Sequence, residues 1–261
     1  MGASTTASIA QARRALDAVA KPDRALGDEL LSGATAIAGS HQLMQTVTDV
    51  GIDADVRAGL VRRVFSATFG KGALGLLAGM AGARWSTGED LVGAIEEIAF
   101  RAYARTASGT AIESELFAVQ RAIASDSRLE LALSNTASPL SARLGAVDRL
   151  VVNATPETQG IVRHVVSFPR GRRIVEGLER AERIVADAKG GLVATVQVAR
   201  PLGIKQLQRL ESGLQSRYGR TVVLDQVVDP TVVGGVRIAI GNDVIDGTVR
   251  SRLDGLRVQL A

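Results

Sequence analysis

The sequence predicts an α+β protein: N-terminal all-α helical bundles, related by duplication, followed by a small C-terminal α+β domain. Two observations carry this. Hydrophobic spacing is helical up to Lys189-Gly190-Gly191 and alternates with period two after it. Within the helical part, residues 28–65 resemble residues 86 positions further on.

Taken in order, helix breaks are expected at Pro22, Gly51, the Gly70–Gly75 stretch, Pro139, Pro156 and Pro169. Leu91, Ile95 and Ile98 share one helical face, and Ile112, Leu116, Val119 and Ile123 share another. After Gly191, Leu192, Ala194, Val196 and Val198 alternate as in a strand. Ile204, Leu207, Leu210 and Leu214 return to helical spacing, and the β-branched run Thr221–Val228 follows as a strand. Val236, Ile238 and Ile240 begin a hairpin that turns at Gly241-Asn242-Asp243 and returns through Val244-Ile245. A last helix places Val249, Leu253, Leu256 and Leu260 on one face, with Asp246 or Thr248 as its cap and Arg250 and Asp254 spaced as an ion pair.

In the repeat, Glu29-Leu30 meets Glu115-Leu116, and Ala36-Ile37-Ala38 meets Ala122-Ile123-Ala124. Arg57 meets Arg143, Val61 meets Val147 and Arg63 meets Arg149. Beyond a three-residue shift, Leu91-Val92 meets Ile174-Val175 and Glu96 meets Glu179. The expected domains are therefore 1–94, 95–188 and 189–261.

Composition narrows the function. The chain is 46% hydrophobic, which excludes disorder throughout, and 3% aromatic, so Ala, Val, Leu and Ile must build the core. It has no cysteine, hence no disulfide, thiolate metal site or cysteine nucleophile. The pI of 9.9 rests on a formal charge of only +4. Gly72–Ala83 is apolar but short of the roughly 20 residues that span a bilayer. The N-terminus lacks a secretory pattern, so a cytoplasmic chain is expected.

No catalytic, cofactor or metal site is assembled by the motifs. Gly70-Lys71-Gly72-Ala73-Leu74-Gly75 spells G-x-G-x-x-G, yet it follows the helical Val61–Phe65 rather than a strand and reads as a loop. His41 and His164 stand far apart without acidic partners at ligand spacing. Glu96-Glu97 reads as solvated surface, because adjacent helical residues diverge. Phe168-Pro169-Arg170-Gly171-Arg172-Arg173 is the strongest basic cluster. Glu176, Glu179 and Glu182 follow at helical spacing and are expected to neutralise it. A basic nucleic-acid binder is the alternative class, weakened by the lack of aromatic residues for base stacking, and a nucleotide-using enzyme is a third.

The C-terminal stretch resembles a known family. Asp229-Pro230, Gly234-Gly235, Val236 to Gly241, and Val244-Ile245-Asp246-Gly247-Thr248-Val249-Arg250-Ser251-Arg252-Leu253 are similar to the signature of the F-type ATP synthase delta subunit, or oligomycin-sensitivity-conferring protein, family. Asp229, Pro230, Gly234, Gly235, Gly241, Asp246, Gly247, Arg250, Arg252 and Leu253 are read as structural signature residues. Residues from about 95 to 189 resemble the family's six-helix bundle, with Tyr103-Ala104-Arg105 near its first helix. Arg84-Trp85 and Asp90-Leu91 resemble the long form found in actinobacteria. The resemblance implies a non-catalytic stator subunit, peripheral on the cytoplasmic face of the cell membrane and touching the membrane only through the complex. In the family the helical domain binds N-terminal segments of alpha subunits, and the C-terminal domain grips the C-terminus of the peripheral-stalk b subunit. No cofactor and no nucleic acid are implied. The 95–188 bundle is the expected alpha site, and the first bundle a second site or a brace.

Overall fold

The computed structural model describes residues 2–107, 111–241 and 243–248. Among them the chain forms twelve α-helices and four β-strands, in the α+β order that the sequence predicts. It divides into two compact units, Met1–Val185 and Ala186–Ala261.

The helical unit begins with α1 (Ala3–Asp17), α2 (Arg24–Gly39), α3 (His41–Thr48), α4 (Ala54–Phe65), α5 (Lys71–Gly82) and α6 (Gly88–Thr106). It continues with α7 (Ala111–Ser125), α8 (Ser127–Ser134), α9 (Leu140–Leu150), α10 (Pro156–Ser167) and α11 (Ile174–Ala188). Local chemistry fixes these limits. Asp23, Ser40, Thr87 and Asp126 each accept a backbone N–H in the first turn of the helix they precede. Pro156 occupies the first turn of α10, where its missing N–H costs nothing. Gly70 caps α5, but Gly72 and Gly75 lie inside that helix, so the expected loop ends at Gly70.

The repeat is visible in the helix limits. α3 starts at His41 and α8 at Ser127, α6 at Gly88 and α11 at Ile174, each pair 86 residues apart. Equivalent positions are buried alike: Leu30 with Leu116, Ile37 with Ile123, Val47 with Leu133, and Val61 with Val147. The offset runs on through α11 without the expected shift. Val92, Ile95 and Ala99 of α6 recur as the buried Leu178, Ala181 and Val185, and Glu96 recurs as buried Glu182, not Glu179.

The same offset also relates α1 to α6. Thr5, Ser8, Ile9, Ala12 and Leu16 are buried on α1; their equivalents Leu91, Ala94, Ile95, Ile98 and Ala102 are buried on α6. Helix α6 therefore ends one six-helix set, α1–α6, and begins the next, α6–α11. A helix serving two sets needs apolar surface all round. Every residue from Ala94 to Ala104 is buried, and the 94/95 division drawn from the sequence falls inside this helix.

In the C-terminal unit, β1 (Gly191–Val198) leads through α12 (Ile204–Tyr218) to β2 (Thr221–Val228), which pairs parallel to β1. The parallel pairing requires such a crossover. β3 (Val236–Ile240) and β4 (Asp243–Asp246) form the expected hairpin, and the sheet order is β2-β1-β3-β4. Ala194, Val196, Val198, Leu214, Val222, Ile238 and Ile240 make its core. Ile204, read as part of the apolar face, is instead exposed at the start of α12. The expected last helix, with Val249, Leu253, Leu256, Leu260 and the Arg250–Asp254 pair, lies outside the described residues, as does Asn242. Among the described residues no helix is long and apolar enough to cross a membrane.

Candidate docking cleft

A cleft of about 770 Å³ opens between α2 and α10 in the helical unit. One wall is a single face of α2, with Asp28, Leu31, Ser32 and Thr35 at i, i+3, i+4 and i+7. The other is a face of α10, with Pro156, Gln159, Gly160 and Arg163 at the same spacing. Tyr103 of the shared α6 and His164 of α10 also line it. The walls thus come from both helical sets.

Small residues bring these elements close to Tyr103. A Cβ on Gly27 would stand 2.5 Å from the Tyr103 ring, and one on Gly160 would stand 2.8 Å from its hydroxyl. The hydroxyl donates to Asp28 Oδ1 at 2.5 Å. Burial first, and then this bond to a carboxylate, pushes the phenol pKa up, so Tyr103 stays a donor at neutral pH. Asp28 also faces Arg24 at 3.5 Å, and Asp148 pairs with Arg163.

Beside the cleft lies a buried ionic cluster. Glu96 accepts from Arg170 Nη1 at 2.8 Å and Arg180 Nη1 at 3.3 Å, and it faces His164 Nε2 at 3.3 Å. Burial alone would raise the Glu96 carboxyl. The hydrogen bond from His164 and the charges of Arg170 and Arg180 outweigh it and hold that carboxyl below its usual range. Burial lowers the Arg180 guanidinium, against the opposing pull of Glu96. Arg170 also donates to the Glu89 carboxylate and backbone carbonyl at 2.6 Å each, from a left-handed backbone at φ +55°. The next carboxylate, Glu97, binds Arg13 at 2.6 Å and Arg101 at 2.9 Å.

Several sequence expectations change here. Glu96 and Glu97 are buried, not solvated: α6 has neighbours on all sides, so adjacent carboxylates that point apart both meet protein. The arginine cluster is neutralised by distant residues. Arg170 binds Glu89 and Glu96, and Arg173 binds Glu130 at 2.5 Å. Glu176 and Glu179 act on Arg173 only at longer range, while Glu182 is buried and accepts from Gln120 at 2.7 Å. At the glycine motif, the Gly70 N–H donates to Glu29 Oε2 at 2.9 Å, an acidic neighbour ill suited to a phosphate. His164 is buried while His41 is exposed.

The signature residues of the C-terminal unit make turns. Asp229 accepts from the backbone and hydroxyl of Thr231 at 2.9 and 2.7 Å in the turn that Pro230 shares. Gly234 and Gly235 have φ of +119° and +81°. A Cβ on Gly235 would land on the Gly247 carbonyl and 2.8 Å from Thr248 Cα, so only glycine fits this approach. Gly247 donates to the Val236 carbonyl at 2.9 Å. Gly241, at φ +58°, turns β3 toward β4. Asp246 accepts the Thr248 N–H at 2.9 Å, which holds its carboxyl below the usual range. Arg250, Arg252 and Leu253 lie outside the described residues. Sequence patterns did not point to Asp28, Gly160 or Arg163; the available signal was the shared face of residues 28, 31, 32 and 35, which Ser and Thr make weakly apolar.

The family model described as ATP synthase delta (OSCP) subunit matches residues 99–260. The ATP synthase subunit delta of Leifsonia xyli subsp. xyli is 42% identical over 264 residues, covering 100% of both chains. That of Streptomyces avermitilis is 36% identical, covering 100% of this chain and 98% of the relative. A chain of the cryo-EM structure of the Toxoplasma gondii mitochondrial ATP synthase hexamer is 21% identical with a TM-score of 0.40, covering 62% of this chain and 96% of that one. With the family model spanning more than half of its length, and relatives matching it end to end, the chain belongs to the ATP synthase delta (OSCP) subunit family.

Proposed function

We propose that this chain is the non-catalytic stator subunit of an F-type proton-translocating ATP synthase. Its helical unit takes N-terminal segments of alpha subunits, and its C-terminal unit grips the end of the peripheral-stalk b subunit. Held at both places, it resists rotor torque while other subunits handle ATP and protons. It sits on the cytoplasmic face of the membrane through the complex alone. Residues 1–94 then build one wall of the docking site and residues 95–188 the other, while residues 189–261 carry the stalk contact.

The observation that carries this reading is the α2–α10 cleft, whose walls are two helical faces spaced i, i+3, i+4 and i+7. Its lining is mostly polar, with Asp28, Ser32, Thr35, Gln159 and Arg163 beside the apolar Leu31, Ala36 and Pro156, so it suits a helix whose inward face mixes hydrogen-bonding and small apolar side chains. A nucleic-acid role is disfavoured because the Arg170 guanidinium is buried against two glutamates. The test is calorimetric titration of the full chain with a synthetic peptide of about the first 25 residues of the alpha subunit. Saturable binding is expected, and a folded chain that gives no binding heat contradicts the proposal.

A further inference from the structure

Helix α12 turns one side to the sheet and the other to solvent. Leu210, Leu214 and Tyr218 pack into the core of the C-terminal unit. On the opposite side Lys205, Arg209, Ser212 and Ser216 stand at i, i+4, i+7 and i+11, all exposed, with exposed Gly213 and Arg217 beside them. Two features of this outer side have no cause in the chain's own contacts.

The first is its charge. Among the described residues of this unit Arg220 binds Asp187 at 3.0 Å, whereas Lys205, Arg209 and Arg217 have no ion pair. Arg217 rests near the Tyr218 ring, 5.8 Å from its centroid. The one acidic residue of α12, Glu211, is half-buried on the other flank and accepts from Gln215 at 3.1 Å. Asp229 and Asp246 hold turns, and Asp243 accepts from the Tyr218 hydroxyl at 3.3 Å. Positive charge is thus gathered on one helix face without counter-charge. In the helical unit, by contrast, Arg13, Arg101, Arg170, Arg173 and Arg180 each meet a glutamate.

The second feature is small size. Ser212, Gly213 and Ser216 are weaker helix formers than alanine, placed inside α12 rather than at its ends. Gly213 has no positive φ, and a Cβ there would meet nothing within 4 Å. The glycine therefore lowers helix stability with no gain inside this chain. Small side chains on an exposed face let a second helix approach closely, since the distance between packed helices follows the side chains at the contact.

We propose that the outer face of α12 is the surface on which the C-terminal unit takes its partner, an acidic helix end. That helix lies close over Ser212, Gly213 and Ser216 and turns carboxylates toward Lys205, Arg209 and Arg217. This rests on the reading of residues 189–261 as the stalk contact, and it names the surface and the chemistry of that contact. An acidic helix gains three complementary charges without breaking any ion pair of this chain, and the positive face steers its approach.

The test titrates a synthetic peptide from the C-terminus of the b subunit into the full chain. Lys205→Glu/Arg209→Glu is expected to weaken the Kd at least about tenfold at low salt, mainly through slower association, and to flatten its salt dependence. Gly213→Gln fills the gap with a better helix former. It is expected to bind at least about tenfold more weakly while its melting temperature stays level or rises. Arg62→Glu/Arg63→Glu, the same charge change on exposed positions of α4, is expected to bind as the parent does. A parent-like Kd in either α12 variant, or an equal loss in the α4 variant, overturns the inference and leaves the stalk reading intact. A peptide that does not bind the parent overturns both. Parent binding to phosphatidylglycerol vesicles that the double reversal abolishes, with peptide affinity kept, assigns the face to a lipid surface and also overturns it. If the double reversal fails to fold, a peptide with Asp and Glu replaced by Asn and Gln decides on the unmodified chain. Weaker binding of that peptide is expected, and equal binding refutes the inference.

Discussion

In the first helical set Arg57 donates to five backbone carbonyls: Val47, Ile52, Ala81, Gly82 and Ala83. At the same place in the second set, Arg143 reaches two, Leu133 at 3.5 Å and Val166 at 3.0 Å. Its buried Nε has no hydrogen-bond partner among the described residues. The seams differ too. Between α2 and α6 the contact is close, with Gly27 against Tyr103 and Ala34 buried. Their equivalents on α7 are Glu113 and Gln120, both buried, and Gln120 donates to Glu182 of α11. The two sets share a buried frame, set by hydrophobic spacing. The groups that tie helices together differ, and Arg57 is held by more carbonyls than Arg143.

The largest effect is expected at the helix both sets share. Glu96→Gln leaves Arg170 and Arg180 buried without their carboxylate and should cost about 3–5 kcal/mol in urea denaturation at pH 7.5. The pH course follows from the sign of the shift. The folded Glu96 carboxyl lies below its unfolded value, so its contribution is complete above about pH 5 and fades as pH falls through the folded value. The gap between parent and Glu96→Gln should therefore narrow on acidification below about pH 4. A gap that widens there would assign the stabilisation to other groups.

The next comparison sets the two arginines against each other. Arg57→Met should destabilise by about 3 kcal/mol and Arg143→Met by about 1 kcal/mol, following the number of carbonyls each leaves unpaired. Equal losses would mean that the extra bonds of Arg57 contribute little. A smaller pair concerns glycines. Gly27→Ala drives a methyl into the Tyr103 ring and should cost about 1–3 kcal/mol. At Gly79 of α5 a Cβ meets nothing within 4 Å, so Gly79→Ala should stabilise by up to about 1 kcal/mol through helix propensity. Thermal melts of the two variants should shift in opposite directions.

Much of this was legible in the sequence, for physical reasons. The period change at Gly190-Gly191 separates helical from strand spacing, and β1 begins at Gly191. The apolar face Ile112, Leu116, Val119 and Ile123 is buried as spaced. Proline and glycine marked several helix ends, whereas the break at Asp126 is a single capping residue without either signal, and the one at Ser40 has only the adjacent Gly39. The sharing of α6 was hidden. Its run from Ala94 to Ala104 includes Glu96, Glu97 and Arg101, which a periodicity reading assigns to a wet face. Buried charge of this kind is readable only once partners such as Arg13 and Arg170, more than seventy residues away, are in place. The cleft was illegible for the same reason, since Thr35 and Gln159 meet only through the fold.

The central claim is that both helical sets build one docking site. It is tested most directly by blocking each wall separately, with Thr35→Trp on α2 and Gln159→Trp on α10, and titrating the alpha-subunit peptide into each full-length variant. The account predicts that either substitution weakens binding by at least about tenfold, the cost of roughly 1.4 kcal/mol, without changing the fold. Parent-like affinity in Thr35→Trp beside lost affinity in Gln159→Trp would contradict it, placing the site on the second set alone.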